Sequence, residues 1–313
     1  MSGAAIDVAA AVIERDGRIL LSRRPDAAHQ GGKWEFPGGK LEAGETAEQA
    51  LKRELEEELG ITPTRFRPLI TIAHDYPDKS VVLHVFRVTD WAGTPQGREG
   101  QAIRQVTKSE LAALTFPDAN LPILKAVSLP ETCVITPPAF DSRDRFHPAL
   151  QRNLQRHDLL ILRLPALGHD HYLRVARRAI PLAEASDCRL LLTCSVEKAQ
   201  AIGASGAHLN SRALMSRAAP IQRDDGFLIS AACHNPAELE QAQRIGADFA
   251  LLSPVRPTGS HPGAPPLGWE RFSQLVRPAK IPVYALGGMD PAQRADAFAH
   301  GAQGVAGITA FWE

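Results

Sequence analysis

Three glutamates offer the first chemistry in this 313-residue sequence. Glu54, Glu57 and Glu58 stand at i, i+3 and i+4 in the segment Thr46 to Gly60, which the spacing predicts as a helix. Like charges so placed destabilise an isolated helix by roughly a few tenths of a kcal/mol per pair. A hard divalent cation compensates directly. Mg²⁺ takes carboxylate and carbonyl oxygens and completes its shell with water and substrate phosphates, and Mn²⁺ is the alternative ion. Thr46 with Gln49 forms a capping box, so the helix is expected to start at Thr46, and Gly60 is placed to end it. Leu51, Leu55 and Leu59 share one arc, the expected core face. Ala47 and Ala50 lie on the glutamate arc and are expected to leave room for a ligand.

The surrounding spacing is more specific than three glutamates on a helix face. Gly39, five residues, Glu45, seven residues, then Arg53-Glu54-Leu55-Glu56-Glu57-Glu58-Leu59-Gly60-Ile61 resembles the Nudix box at every fixed position. The resemblance implies a metal-dependent pyrophosphohydrolase acting on a nucleoside diphosphate linked to another group. It assigns Glu54, Glu57 and Glu58 as metal carboxylates with the Gly38 carbonyl as a further ligand. It makes Glu54 the general base as well, with Arg53 orienting Glu54 and Glu45 more structural. Diphosphate cleavage needs cations to neutralise phosphate oxygens and to activate water.

The flanks extend the likeness over residues 5–125. Trp34-Glu35-Phe36-Pro37-Gly38-Gly39-Lys40 resembles the MutT branch, the 8-oxo-dGTP diphosphatases, or mutator proteins. Arg23-Arg24, Asp26 and His29 precede the box. Tyr76-Pro77-Asp78, Gly97-Arg98-Glu99-Gly100-Gln101 and Phe116-Pro117-Asp118-Ala119-Asn120 follow it. The resemblance implies Mg²⁺-dependent hydrolysis of oxidised purine nucleoside triphosphates to monophosphate and pyrophosphate, a DNA-repair role that keeps them out of DNA replication. It gives Arg24 and His29 to the nucleotide, Glu35, Phe36, Pro37 and Gly38 to its cradle, and Glu99 to a distant extra metal position. Asn120 is expected to read the purine edge, since its amide offers both a donor and an acceptor. The stretch Ala102 to Gln105 lacks the tryptophan expected there.

From Cys133 onward, eight short apolar runs alternate with helical patterns: Cys133–Thr136, Leu159–Leu164, Arg189–Thr193, Ala207–Leu209, Phe227–Ala231, Phe249–Leu252, Pro282–Leu286 and Gly304–Ile308. That alternation predicts a closed parallel (β/α)8 barrel. Recurring Gly-Ala pairs at Gly203, Gly206, Gly246 and Gly301 read as helix C-caps. Ala207-His208-Leu209, Gly246 to Val255, Ala285 to Met289 and Gly301 to Ala306 resemble the thiamine-phosphate synthase and TenI-like tautomerase superfamily. The resemblance places phosphate donors at Gly287 and Gly288 and a tautomerase-type histidine at His234. It departs at the metal positions. Thr193-Cys194 stand for an Asn-Asp pair, Arg212-Ala213 for acidic residues, and Thr258-Gly259-Ser260-His261 for a lysine. A pyrophosphate-displacing synthase needs those groups. The barrel thus reads as a tautomerase relative or as a phosphate-binding remnant, with a phosphorylated thiazole or thiamine-like compound as ligand.

These sites need a matching frame. Ile6–Glu14 and Arg18–Leu21 around Arg15-Asp16-Gly17 predict a hairpin, and 67–73 and 80–90 further strands. The whole reads as α/β: a Nudix α/β/α sandwich with a mixed sheet over 1–127, then a TIM barrel over 132–313. Lys+Arg and Asp+Glu both number 35, which argues against gripping a nucleic-acid polymer. No apolar run reaches membrane-span length, the first residues do not read as a signal peptide, and the four cysteines form no CxxC pair, so the expected compartment is the cytoplasm. Two other readings compete. One is a thiamine-pathway protein whose Nudix half trims a pyrophosphorylated compound, and the other is a non-catalytic barrel that senses a ligand.

Overall fold

The computed structural model describes residues 5–27, 29–137, 143–259, 263 and 265–312, with the side chains of 143–146 left aside. Ser260 and His261, in the segment that stands where a synthase lysine is expected, lie outside the described residues. The chain divides into two compact units, Met1–Leu129 and Pro130–Glu313.

The first unit runs β1 (Ile6–Arg15), β2 (Arg18–Arg23), β3 (Trp34–Glu35), β4 (Gly38–Lys40), α1 (Ala47–Leu59), β5 (Thr62–Asp75), β6 (Ser80–Ala92), β7 (Ile103–Thr107), α2 (Lys108–Leu111) and α3 (Leu121–Ser128). Its sheet has the order β3-β2-β1-β6-β5, with β4 on β1 and β7 on β2. Only β1 and β6 pair parallel, from Ile6↔Val81 to Ile13↔Val88, so the sheet is mixed. Side chains alternate across the sheet, and β1 feeds both cores. Ala9, Ala11 and Ile13 pack with α1, while Ala10 and Val12 pack with Leu111, Ile123, Ala126 and Val127 of α2 and α3. The result is an α/β/α sandwich.

Helix α1 starts where its capping box dictates. Thr46 accepts from the Gln49 amide, and Gln49 accepts from the Thr46 amide in return. Gly60 ends it in the left-handed region at φ 68°. Leu51, Leu55 and Leu59 are fully buried, each contributing roughly 1.5–3 kcal/mol by leaving water. Ala50 corrects an expectation. It is also fully buried in that core and leaves no room for a ligand, while the partly buried Ala47 packs against the same core. The arc carrying them turns partly toward the sheet, because the helix needs more than three leucines to seat it.

The second unit is a closed barrel of eight parallel strands. They are β8 (Thr132–Ile135), β9 (Leu159–Leu162), β10 (Arg189–Leu192), β11 (Gly206–Leu209), β12 (Leu228–Cys233), β13 (Phe249–Leu252), β14 (Val283–Ala285) and β15 (Gly304–Gly307). Among the described residues the helices between them are α4 (Arg143–Arg156), α5 (His169–Glu184), α6 (Val196–Ala201), α7 (Ser211–Met215), α8 (Pro236–Arg244), α9 (Gly268–Val276) and α10 (Arg294–Ala299). The strands are covered on both faces, so they read as continuous apolar runs. Strand β12 extends to Cys233, beyond the expected Ala231, and sets His234 directly at its carboxyl end. Gly203, Gly246 and Gly301 have φ of 82°, 79° and 84°, as helix-ending glycines do. Gly206 does not belong with them. It opens β11, where a Cβ would stand 2.3 Å from the Leu228 carbonyl oxygen, so strand approach requires the glycine. No helix among the described residues is long and apolar enough to cross a membrane.

Candidate active site

The glutamates of α1 are organised by one arginine. Arg53 donates from Nε to Glu45 Oε1 (3.0 Å), from Nη2 to Glu45 Oε2 (2.9 Å) and to the Lys40 carbonyl (2.9 Å), and from Nη1 to Glu54 Oε1 (2.9 Å) and Glu57 Oε2 (3.0 Å). Every donor position of the guanidinium fork is used toward carboxylate or carbonyl, the geometry lysine cannot reproduce. These partners raise the Arg53 pKa further, and Arg53 with the Glu42 amide lowers that of Glu45.

Glu54 and Glu58 face a different environment. Burial raises the Glu54 pKa, with Arg53 opposing and Glu57 and Glu99 adding to the rise. Burial pushes Glu58 up to about 8, against the Gly38 amide that donates to its Oε2 at 3.1 Å; Glu35, Glu54 and Glu99 push the same way. Gly39 is essential to this packing, since a Cβ there would stand 2.2 Å from the Glu54 carboxyl carbon. Glu57 is the most exposed of the three, with 55% of its side-chain surface open.

Among the described residues, no group of three or more His, Cys, Asp or Glu side chains closes into a metal-holding cluster. Arg53 engages Glu54 and Glu57, and the Gly38 amide engages Glu58. The donor set nonetheless fits a hard divalent cation. It offers only oxygen, and mutual repulsion among Glu35, Glu54, Glu58 and Glu99 is the condition such a cation relieves.

The residues expected to hold the nucleotide adjoin this cluster and form one connected set. Arg24 forms an ion pair with Glu35 through Nη1 and donates from Nε to the His29 carbonyl at 3.0 Å. Burial raises the Glu35 pKa, opposed by Arg24. The His29 ring meets Tyr76 edge-on at 4.9 Å, and Tyr76 Oη accepts from the Ala119 amide at 3.3 Å. Asn120 is 9% exposed, and its Oδ1 accepts from the Phe36 amide at 3.4 Å. Pro37 is tied to the sheet, its carbonyl accepting from the Ala11 amide at 2.8 Å. The Phe36 ring lies in the core, stacked on Phe116 at 5.7 Å, so it presents no open face to a base. The Asn120 oxygen takes one hydrogen bond, from the Phe36 amide, which anchors this side chain to the Glu35–Gly38 segment. Sequence reasoning missed the Lys40 carbonyl and the contacts of Arg98 and Gln101 with α1, because no local pattern marks partners so distant in the chain.

In the barrel, the Thr193 amide donates to Tyr172 Oη (2.7 Å) and its hydroxyl to the Leu162 carbonyl (3.1 Å), a structural network without carboxylates. Cys194 is half-buried with its thiol pKa raised by burial, and Arg212 is exposed. His234 Nδ1 lies 3.0 Å from Glu238 Oε2 and 3.1 Å from Ser211 Oγ. Gly287 and Gly288 have φ of 94° and 65°, and Cβ atoms there would stand 2.7 Å from Pro254 Cα and 2.6 Å from the Pro257 carbonyl oxygen. Chain packing thus accounts for both glycines without a ligand.

Fold and site together define a two-unit protein, an α/β/α sandwich with an acidic helix followed by a closed parallel barrel. The sequence comparisons agree with both units. Residues 8–126 match the NUDIX domain model, and residues 132–311 match the thiamine monophosphate synthase model. The 8-oxo-dGTP diphosphatase of Escherichia coli (strain K12) is 41% identical over 120 residues, covering 38% of this chain and 93% of that protein. The CTP pyrophosphohydrolase of the same organism is 42% identical over 121 residues, covering 39% and 90%. A protein of Aquifex aeolicus (strain VF5), provisionally named as a second thiamine-phosphate synthase, is 31% identical over 144 residues, covering 45% and 75%. The chain therefore belongs to the Nudix hydrolases through its N-terminal unit and to the thiamine monophosphate synthase family through its C-terminal barrel.

Proposed function

We propose that the N-terminal unit, taken as residues 1–127, is a Mg²⁺-dependent hydrolase of 8-oxo-dGTP. Water adds across the α–β phosphoanhydride, and the products are the nucleoside monophosphate and pyrophosphate. Asn120 carries the choice of a purine. Its buried amide is anchored at Phe36, and an amide side chain supplies both the donor and the acceptor that a purine edge requires. Glu54, oriented by Arg53, takes the proton from the attacking water. Bound at Glu54, Glu57, Glu58, the Gly38 carbonyl and Glu99, Mg²⁺ or Mn²⁺ supplies charge neutralisation on the phosphates. Arg24 and His29 hold the nucleotide beside Glu35. The similarity to a CTP pyrophosphohydrolase makes cytidine the natural competitor. The test is a substrate profile of the full chain on 8-oxo-dGTP, dGTP, CTP and thiamine diphosphate. A higher kcat/KM for CTP or thiamine diphosphate than for 8-oxo-dGTP overturns this reading.

For the barrel, taken as 132–313, we propose binding of a small phosphorylated ligand without synthesis of thiamine phosphate. The binding half rests on Gly287-Gly288 and Gly304 to Gly307, backbone donors at two successive strand ends, and the negative half on Thr193, Cys194, Arg212 and Ala213, where no carboxylate stands to hold a cation against a leaving pyrophosphate. His234 is the candidate for metal-free proton transfer.

A further inference from the structure

The connection after β6 does more than link strands. The Gln96 amide donates to the Leu59 carbonyl (3.0 Å), the Arg98 amide to the Glu58 carbonyl (2.9 Å), and Arg98 Nη1 to the Glu56 carbonyl (3.0 Å). The Glu58 and Leu59 carbonyls belong to the last turn of α1, which a helix leaves unpaired, while the Glu56 carbonyl also accepts from the Gly60 amide at 3.0 Å. Arg98 also sets a cation at the negative end of the helix dipole.

Gln101 adds a hook. Its Nε2 donates to the Glu58 carbonyl at 3.0 Å, and its Oε1 accepts from the Glu99 amide at 2.9 Å. One side-chain amide thus joins the backbone of Glu99 to the backbone of Glu58. The Glu58 carbonyl accepts both Arg98 and Gln101, using both lone pairs. Gly97 permits the closure, because a Cβ there would stand 2.1 Å from the Gln101 carbonyl oxygen. The Glu99 charge reaches the glutamate cluster, adding to the repulsion felt by Glu54 and Glu58.

Resting on the metal-dependent reading above, we infer that Gln101 is a positioning residue that holds Glu99 at the cation-binding end of the Nudix helix. Residues behind the ligands orient them, and their loss weakens metal affinity by roughly 10- to 100-fold. Gln101 touches neither substrate nor cation in this assignment. It acts through Glu99 alone.

The experiment is electron paramagnetic resonance titration of Mn²⁺ on the full chain without nucleotide. Glu54→Gln and Glu58→Gln come first. Mn²⁺ binding untouched by both defeats the metal reading itself, separately from this inference. Glu99→Gln is expected to weaken Mn²⁺ binding, and Gln101→Ala to weaken it by roughly tenfold with Glu99 still present. The double variant is expected to bind no more weakly than Glu99→Gln alone, which a general structural role would not produce. Gln101→Glu keeps the acceptor for the Glu99 amide but removes the donor to Glu58, and is expected to weaken binding at unchanged far-UV dichroism. If Gln101→Ala proves unfolded, Gln101→Asn, whose amide is one methylene short of the span, takes its place. Wild-type Mn²⁺ affinity in Glu99→Gln or in the Gln101 variants overturns the inference. So does a double variant whose loss is the product of the two single losses.

Discussion

Arg53 and Glu45 are joined by two parallel hydrogen bonds of 3.0 and 2.9 Å across the loop that delivers the chain into α1. The same guanidinium bonds Glu54 at 2.9 Å, so the orientation of Glu54 depends on a carboxylate nine residues upstream. Arg53→Lys is expected to keep the fold and one ion pair while losing the fork. We expect kcat to fall by roughly tenfold or more, with KM little changed, because orientation of the base is lost rather than substrate binding. Steady-state pyrophosphate release measures it, and an unchanged kcat would refute the orienting role.

Removing the charge from the carboxylates is expected to cost more. Glu54→Gln, Glu57→Gln and Glu58→Gln keep side-chain shape and abolish most hydrolysis, with a fall of roughly 10²- to 10⁴-fold for the base Glu54. Circular dichroism should show an intact fold. Near-wild-type turnover of Glu58→Gln at saturating Mg²⁺ would sink the metal assignment.

Asn120→Ala is expected to lower kcat/KM for 8-oxo-dGTP at least about tenfold more than for dGTP. A group that pairs with the modified base contributes discrimination, and its loss removes it. Equal losses on the two nucleotides would show that Asn120 serves only to anchor Phe36.

The barrel carries a pH-sensitive element in β11. Burial, and then the Arg163 charge, hold the His208 pKa down at about 4, with Nδ1 2.8 Å from Ser230 Oγ. Unfolded, this histidine titrates near its ordinary value, roughly 6.5. The unfolded state therefore binds a proton that the folded state refuses between those values. Stability is full above about pH 6.5 and falls as pH drops toward 4, by at most about 3 kcal/mol from this group. Hydrogen exchange of β11 and β12 peptides in the full chain should speed up over that window, and His208→Gln should flatten the dependence. Exchange that is equally pH-dependent in both proteins would exclude His208 as the cause.

Supplied with the two substrates of thiamine-phosphate synthesis and Mg²⁺, the full chain is expected to release no thiamine phosphate above the uncatalysed background. Thiochrome fluorescence reads the product directly. Formation at an enzymatic rate would refute the negative half of the barrel proposal, and no calorimetric binding of a phosphorylated thiazole or of phosphate would remove the positive half.

The sequence by itself determined whatever lies within a few turns of chain. The limits of α1 follow from Thr46, Gln49 and Gly60, and its core face from Leu51, Leu55 and Leu59, because caps and helical periodicity are local hydrogen-bonding and packing facts. Alternation of short apolar runs with helices likewise sufficed for eight strands of a closed barrel. Tertiary structure decided the rest. Ala50 faces the core, the Phe36 ring stacks on Phe116, Gly206 yields to the Leu228 carbonyl, and Gln101 reaches back to Glu58. Each depends on which segment is brought alongside, over separations that reach 80 positions between Phe36 and Phe116. Sheet register and loop closure set those approaches, and no window of neighbouring residues encodes them.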